Sequence, residues 1–202
     1  MNGTGTIRQL RLGMLAAATA VALAGCGGVL SGPPPDTYDL TAPGDFGSIG
    51  STRAQILVPV PTALASLDTE RIVVRPEPAV INYLSGAQWA DKLPRLFQAR
   101  LVEAFDQSGR VARVGRTGEG LVADYQILAE IRAFHADPAA GVAIAEIAVR
   151  IVNDRSGRIV ASRTFSREAP LTGKGGSEIV AALDAAMRAA MTDIVGWTVS
   201  RI

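Results

Sequence analysis

Apolar and polar residues alternate along two segments in the second half of the chain. From Tyr125 to Ala133 every second residue is apolar, and Glu130 is among the residues between them. The segment from Val142 to Val152 follows the same pattern, with Arg150 at one of its polar positions. A period of two is typical of a strand that buries one face. We therefore predict two long, half-buried strands.

Two other segments carry apolar residues three to four positions apart, which indicates helices with one buried face. The first predicted helix ends at Gly109, and Pro94 marks either a kink or the first turn of its main part. The second runs from about Ser177, a suitable N-cap, to Val199. The apolar stripe of the first comprises Trp89, Leu93, Leu96, Phe97, Leu101, Ala104 and Phe105, and that of the second comprises Ile179, Val180, Leu183, Met187, Met191, Ile194 and Val195.

Shorter apolar runs predict the remaining strands. We predict a peripheral strand at Ile56–Val60 because it contains Pro59, two strands around the turn at Pro76–Pro78, and a hairpin strand after the turn at Asn153–Gly157. The predicted strands are Tyr38–Leu40 as an optional edge, Ile56–Val60, Arg71–Arg75, Ala79–Tyr83, Val111–Val114 and Ile159–Phe165. This order of elements predicts an α/β (α+β) domain: a mixed, mainly antiparallel sheet with two long helices packed on one face.

The N-terminal segment has the organisation of an export signal. Arg8 and Arg11 precede an apolar run over residues 12–25, and no acidic residue occurs before Asp36. Fourteen helical residues extend about 21 Å, which is shorter than the roughly 30 Å hydrocarbon layer of a bilayer. The four residues that end at Cys26, Leu-Ala-Gly-Cys, resemble the lipobox of bacterial lipoproteins. That resemblance implies that Cys26 becomes the first mature residue and carries acyl chains.

The lipobox leads to a prediction of domain organisation and location. We predict a signal peptide at residues 1–25, lipidated Cys26 with a flexible tether at residues 26–52, and a single periplasmic domain at residues 53–202. The tether is predicted from glycines followed by three prolines, which do not form a folded element. Two or more acyl chains anchor a protein stably to a membrane. In bacterial lipoproteins an Asp directly after the cysteine retains the protein at the inner membrane. By this rule Gly27 implies the outer membrane.

Composition and charge exclude several classes of function. The formal net charge is +1, and it becomes −1 once Arg8 and Arg11 are removed, so no broad cationic field is present for nucleic acid. One cysteine and one histidine exclude an internal disulfide and a thiolate-rich zinc site. We therefore predict no nucleic-acid partner and no metal or other cofactor.

Candidate catalytic residues are few. His135 could act as a base oriented by Asp137, but no nucleophile is near it in the sequence, so a polar residue at a strand end is the favoured interpretation. The segment Thr172–Ser177 lacks the first glycine and the hydroxyl that a phosphate-binding loop requires, because Glu168 and Gly175 stand at those positions. We predict that the protein is not an enzyme and name no catalytic residue.

Several loose motifs together resemble the ABC-type transport auxiliary lipoproteins, including their PqiC-like members. The motifs are the lipobox at Cys26, Tyr38–Leu40, Val58–Val60, Arg71–Arg75, Ile81–Leu84, Gln88–Pro94 and Ala123–Phe134. The resemblance implies a non-enzymatic periplasmic component that assists an ABC permease, its ATPase and an Mce-domain protein in moving lipids. Whether the domain forms a homo-oligomer stays open.

Two sets of residues are candidates for contacts with a partner. Tyr83 and Trp89 lie near a predicted strand-to-helix junction and could anchor a protein contact, with burial in the core as the alternative. A second set of arginines could bind a carboxylate-bearing partner or lipid phosphates, with a solvated surface as the alternative. These are Arg150, Arg155, Arg158, Arg163 and Arg167. Two further functions also stay open: a periplasmic carrier that binds lipid, and a lipoprotein regulator of cell-envelope synthesis.

Overall fold

A computed structural model describes residues 34–202, of which Pro35–Ile202 form a compact unit. The predicted signal peptide, Cys26 and the first part of the predicted tether lie outside the described residues. The two helices are α1 (Leu93–Ser108) and α2 (Gly176–Val199). The strands are β1 (Asp36–Tyr38), β2 (Gln55–Leu57), β3 (Thr62–Ala63), β4 (Arg71–Val74), β5 (Asn82–Trp89), β6 (Arg113–Gly115), β7 (Tyr125–Asp137), β8 (Val142–Asn153) and β9 (Ile159–Pro170).

The long strand β7 is the centre of the sheet. On one side β8 pairs with it in antiparallel fashion along its whole length, and β9 pairs antiparallel with β8. On the other side β2, β3 and β4 pair in parallel with successive parts of β7, opposite Tyr125, Glu130 and Ala136 respectively. Beyond them, β5 and β1 extend the sheet from β4, and β6 extends it from β2. We call β8–β9 the hairpin side and the other six strands the short-strand side.

The predicted fold class is confirmed: the domain is α+β, with a mixed sheet and two helices. The residue pairs are mainly antiparallel, because the long strands β7, β8 and β9 pair that way, whereas the very short strands are mostly parallel. In β8 the face towards the helices carries Ala143, Ala145, Ile147, Val149 and Ile151, each at most 1% exposed. The small alanines let α2 approach the sheet closely.

The helix ends follow from backbone chemistry. In α1, Pro94 lies in the first turn, where its missing N–H costs nothing, and Gly109 ends the helix in the left-handed conformation at φ 60°. The prediction of Ser177 as the N-cap of α2 is wrong, because extended Gly175 precedes the helix and Ser177 already lies inside it. The apolar spacing places Trp89 on the first helix, and this prediction is wrong because Trp89 is the last residue of β5.

The short strands differ most from the predictions. The segment predicted as peripheral, Ile56–Val60, overlaps β2, which is an interior strand because it pairs with both β6 and β7. Pro59 follows this strand and therefore removes no ladder hydrogen bond. The optional edge near Tyr38 is present as β1, paired in parallel with β5. The two-residue strand β3 was not predicted.

The segment after β1 is held on the body of the domain, although it falls within the predicted tether. Leu40 is buried in the core. The backbone N–H and hydroxyl of Thr41 donate to the two carboxylate oxygens of Asp184 on α2, both at 2.7 Å. Arg100 of α1 forms an ion pair with Asp39. These contacts move the start of the compact unit from the predicted Arg53 to Pro35.

Candidate interaction surface

The outer edge of β9 is the longest strand edge at the border of the sheet. Among the described residues β9 pairs only with β8, and its twelve residues extend about 40 Å. Nine of the twelve are exposed, and only Phe165 and Ala169 are buried. The edge therefore presents a row of backbone donors and acceptors, which a further strand could pair with.

The side of β9 that faces α2 is attached to the core at a few points. The ring of Phe165 meets that of Trp197 edge to face, with centroids 5.5 Å apart. The guanidinium of Arg163 lies 5.0 Å from the centroid of the Phe165 ring, and Arg167 forms an ion pair with Asp193 of α2. The Phe165–Trp197 contact and the Arg167–Asp193 ion pair thus join the strand to the helix.

The opposite face of the hairpin side contains a shallow groove of about 420 Å³. It forms because Ala148, a small residue, lies between Glu130 on β7 and Thr164 on β9 in the register of the sheet. Arg132, at a bulge in β7, donates to Thr164 Oγ1 at 3.3 Å and pairs with Glu130 at 3.4 Å. Guanidinium and hydroxyl donors in one groove can bind an oxyanion.

The structure places all five predicted arginines on the hairpin side, and every one is exposed. Arg150 lies on the face with the groove, opposite Ser162. Arg163 and Arg167 belong to the α2 side of β9, Arg155 lies in the turn between the strands, and Arg158 follows that turn. The groove residues Arg132, Ala148 and Thr164 were not identified from the sequence, although the polar face of β7 was recognised.

Tyr83 and Trp89 are not brought together, although both belong to β5. Trp89 is 1% exposed and stacks on Phe134 with ring centroids 5.7 Å apart. Its side chain is therefore part of the core. Tyr83 is half-buried beneath Arg71, whose guanidinium carbon lies 3.5 Å from the ring centroid. Of the pair, only Tyr83 reaches the surface.

His135 is buried near Arg75. Burial, together with the positive charge of Arg75, lowers the pKa of His135 below its usual 6.5, and the nearby carboxylate of Asp137 opposes this shift. Asp137 is engaged in the turn after β7, where Oδ1 accepts the backbone N–H groups of Ala139 and Ala140 at 2.9 Å. The imidazole is thus a neutral buried group at neutral pH.

The loop before α2 does not form a phosphate site. The side chain of Glu178, in the first turn of the helix, lies against Gly173 and Gly175. A carboxylate thus occupies the region at the helix N-terminus where a phosphate would bind. In the described part of the chain no three metal-ligating side chains cluster, and no helix there has the length and hydropathy to cross a membrane.

Comparison with known proteins gives the family context. An uncharacterized protein of Bradyrhizobium diazoefficiens, bll6063, is 37% identical over 169 residues, which cover 81% of this chain and 44% of that relative. This chain therefore spans less than half the length of that relative. The crystal structure of protein XCC0632 from Xanthomonas campestris, of the family DUF330, is 29% identical with a TM-score of 0.76, over 82% of this chain and 95% of that one.

A more distant structure has the same fold. The hypothetical protein CT253 of Chlamydia trachomatis matches with a TM-score of 0.52 at 8% identity, over 74% of this chain and 98% of that one. The family model for the ABC-type transport auxiliary lipoprotein component matches residues 38–195, which include both helices up to the last turn of α2 and all strands but the start of β1. The chain therefore belongs to the family of ABC-type transport auxiliary lipoprotein components.

Proposed function

We propose that the protein is a non-enzymatic docking component of an Mce-type ABC lipid transport system. In this proposal the acylated Cys26 holds it at the periplasmic face of the outer membrane, and its folded domain binds an Mce-domain protein or the permease. The observation that carries the proposal is the family match over residues 38–195, which supports an auxiliary role beside an ABC-type transporter. The lipobox motif at Cys26 agrees with the lipoprotein character of the family.

The chemistry of the domain supports docking over catalysis. His135 is buried and neutral, and the carboxylate of the neighbouring Asp137 accepts hydrogen bonds from backbone N–H groups in the turn after β7. The helix end that could hold phosphate is occupied by Glu178. By contrast, the hairpin side exposes a strand edge and a set of arginines suited to binding another molecule. Because one fold can serve many functions, we base the docking role on this exposed surface and not on the fold.

The proposal is tested by purifying the tagged full chain from cross-linked cell envelopes of its host and identifying what accompanies it. We expect an Mce-domain protein together with an ABC permease and ATPase. Recovery of a cell-wall synthase without transport components would overturn the proposal and favour the regulator instead. Lipid retained by the chain after purification, without protein partners, would favour the carrier.

The anchor is tested separately with the variant Cys26→Ser. We expect the wild-type protein to begin at Cys26 and to carry the mass of acyl chains, and the variant to lack that mass and to leave the membrane fraction. The matched control is Gly27→Asp, which keeps the cysteine and so keeps acylation. If the control stays acylated but moves to the inner membrane, the outer-membrane assignment is supported.

A further inference from the structure

We propose that the outer edge of β9 accepts an extended acidic segment of a partner protein as an additional strand. This inference rests on the proposed docking role and specifies where the partner binds and what its chemistry is. The first observation is the edge itself, which is twelve residues long and has no strand beside it in the described part of the chain. Main-chain hydrogen bonds to such an edge supply affinity, and side chains on alternate positions supply specificity.

The second observation is a concentration of positive charge on the hairpin that carries this edge. From Val142 to Pro170 the chain has five arginines and three acidic residues. One of the arginines, Arg167, is paired with Asp193 of α2. The other residues from 34 to 202 carry thirteen basic and sixteen acidic side chains. The hairpin is thus a positive region on a domain that is otherwise negative, and it is complementary to an acidic partner.

Two exposed apolar residues on this edge indicate which residues the partner segment should carry in addition to its acidic ones. Ile159 and Val160, at the start of β9, are 58% and 47% exposed, between Arg158 and Arg163. An added strand would place its own side chains alternately on both faces of the sheet. A segment that alternates acidic and aliphatic residues would therefore pair with the arginines and cover the two aliphatic side chains.

Two other occupants fit the edge less well. A second copy of this chain would bring two arginine-rich strands side by side, and like charges on neighbouring strands are destabilising. An anionic bilayer would match the charge, but lipid headgroups do not pair with the ladder of backbone groups along the edge. The arginines also lie on both faces of the sheet, with Arg150 on the groove face and Arg163 on the α2 face.

The test uses the purified full chain and a synthetic peptide of alternating glutamate and valine, as long as β9. We expect the peptide to bind and to slow hydrogen exchange of the β9 amides. Two comparison peptides isolate the causes: one has lysine in place of glutamate, and one has proline in place of every second valine. Both should bind at least about tenfold more weakly, because the first repels the arginines and the second cannot form a ladder.

Variants of the chain complete the test. The double variant Arg158→Glu/Arg163→Glu should weaken binding of the acidic peptide by about tenfold or more. Arg113→Glu, on the exposed edge strand β6, is the matched control and should leave binding unchanged. All three positions are exposed, and the lost Arg163–Phe165 contact should cost no more than about 1 kcal/mol, so the melting temperature should fall by at most about 2–4 °C.

Four results would overturn the inference. They are no preference for the acidic peptide, peptide binding without protection of β9, protection of β9 by self-association of the chain, and protection of β9 by vesicles of phosphatidylglycerol but not phosphatidylcholine. The last two would assign the edge to a second copy or to the membrane. If transport components still co-purify with the chain after any of these results, the proposed function stands and only the binding mode is rejected.

Discussion

The two sides of β7 are built on different physical principles. On the hairpin side one strand, β8, pairs with β7 along its whole length, and a short turn connects the two. On the short-strand side three segments of two to four residues pair with β7 one after another, each delivered by a different part of the chain. A strand of two or three residues has too few hydrogen bonds to hold itself in place. The short-strand side therefore depends on its side chains.

The buried residues reflect this difference. On the short-strand side Ile56, Ile72 and Trp89 are essentially inaccessible, and Gln98 of α1 donates to the carbonyl of Val58 at 2.8 Å. On β9 only two of twelve residues are buried. The hairpin side can leave most of β9 exposed because the long antiparallel ladder to β8 holds it. The strand free to bind a partner, β9, thus contributes few residues to the core.

The largest effect is expected from Trp89→Ala on the short-strand side. The change empties a space in the core next to Phe134 and should lower the free energy of unfolding by about 3–5 kcal/mol. Chemical denaturation followed by circular dichroism measures it. Tyr83→Ala, on the same strand but half-buried, is the control and should cost less. Unchanged stability of Trp89→Ala, with loss of a transport partner, would instead show that Trp89 acts as a contact residue.

A smaller effect is expected from Asp184→Ala, which releases the segment after β1. The change removes both acceptors of Thr41 and should cost about 1–3 kcal/mol, since hydrogen bonds to a charged group are among the stronger ones. Hydrogen exchange should become faster in residues 38–45 before it changes in β7. Arg188→Ala is the control, because it removes only an exposed ion pair to the same carboxylate at 3.7 Å. If residues 38–45 exchange no faster in Asp184→Ala, this segment is held by other contacts.

The difference in strand length between the two sides of β7 also explains which elements can be predicted from the sequence. Periodicity is readable in β7, β8 and both helices because each is long enough to repeat its pattern several times. The strand β3 has two residues and no period, and its place is set by pairing with Glu130 and Ile131 far along the chain. Trp89 continues the apolar spacing of α1 by coincidence, but the helix begins only at Leu93, with Pro94 in its first turn. Short strands are determined by tertiary contacts that a local pattern does not contain.

Of the candidate surface, the sequence predicts the hairpin and its arginines but not the groove or the free edge. The turn at Asn153–Gly157 predicts the hairpin, so the arginines around it could be assigned to one region. The groove over Ala148 could not be predicted, because it depends on the register of three strands and on the bulge at Arg132. The free edge of β9 likewise follows from the strand order, which the sequence does not specify.

A third prediction concerns His135, at the boundary between the two sides. Because the pKa of His135 is below 6.5 in the folded state, the unfolded chain takes up the proton first as the pH falls. This histidine should therefore lower stability as the pH drops below about 6.5. Above that value its contribution should be constant. Since the sequence has one histidine, the difference between wild type and His135→Gln in unfolding free energy against pH isolates it. A wild type that becomes more stable than the variant on acidification would contradict the assignment.

The smallest effect is expected from Thr164→Ala on β9. The hydroxyl accepts a hydrogen bond from Arg132 at 3.3 Å, but both side chains are exposed, so water replaces the lost partner. The free energy of unfolding should change by no more than about 0.5 kcal/mol. Thr198→Ala, a buried threonine of α2, is the comparison for the same chemical change made inside the core. A loss of more than about 1.5 kcal/mol in the unfolding free energy of Thr164→Ala would mean that the groove stabilises the fold. The exposed face of β9 would then be needed for folding and would not be free for a partner.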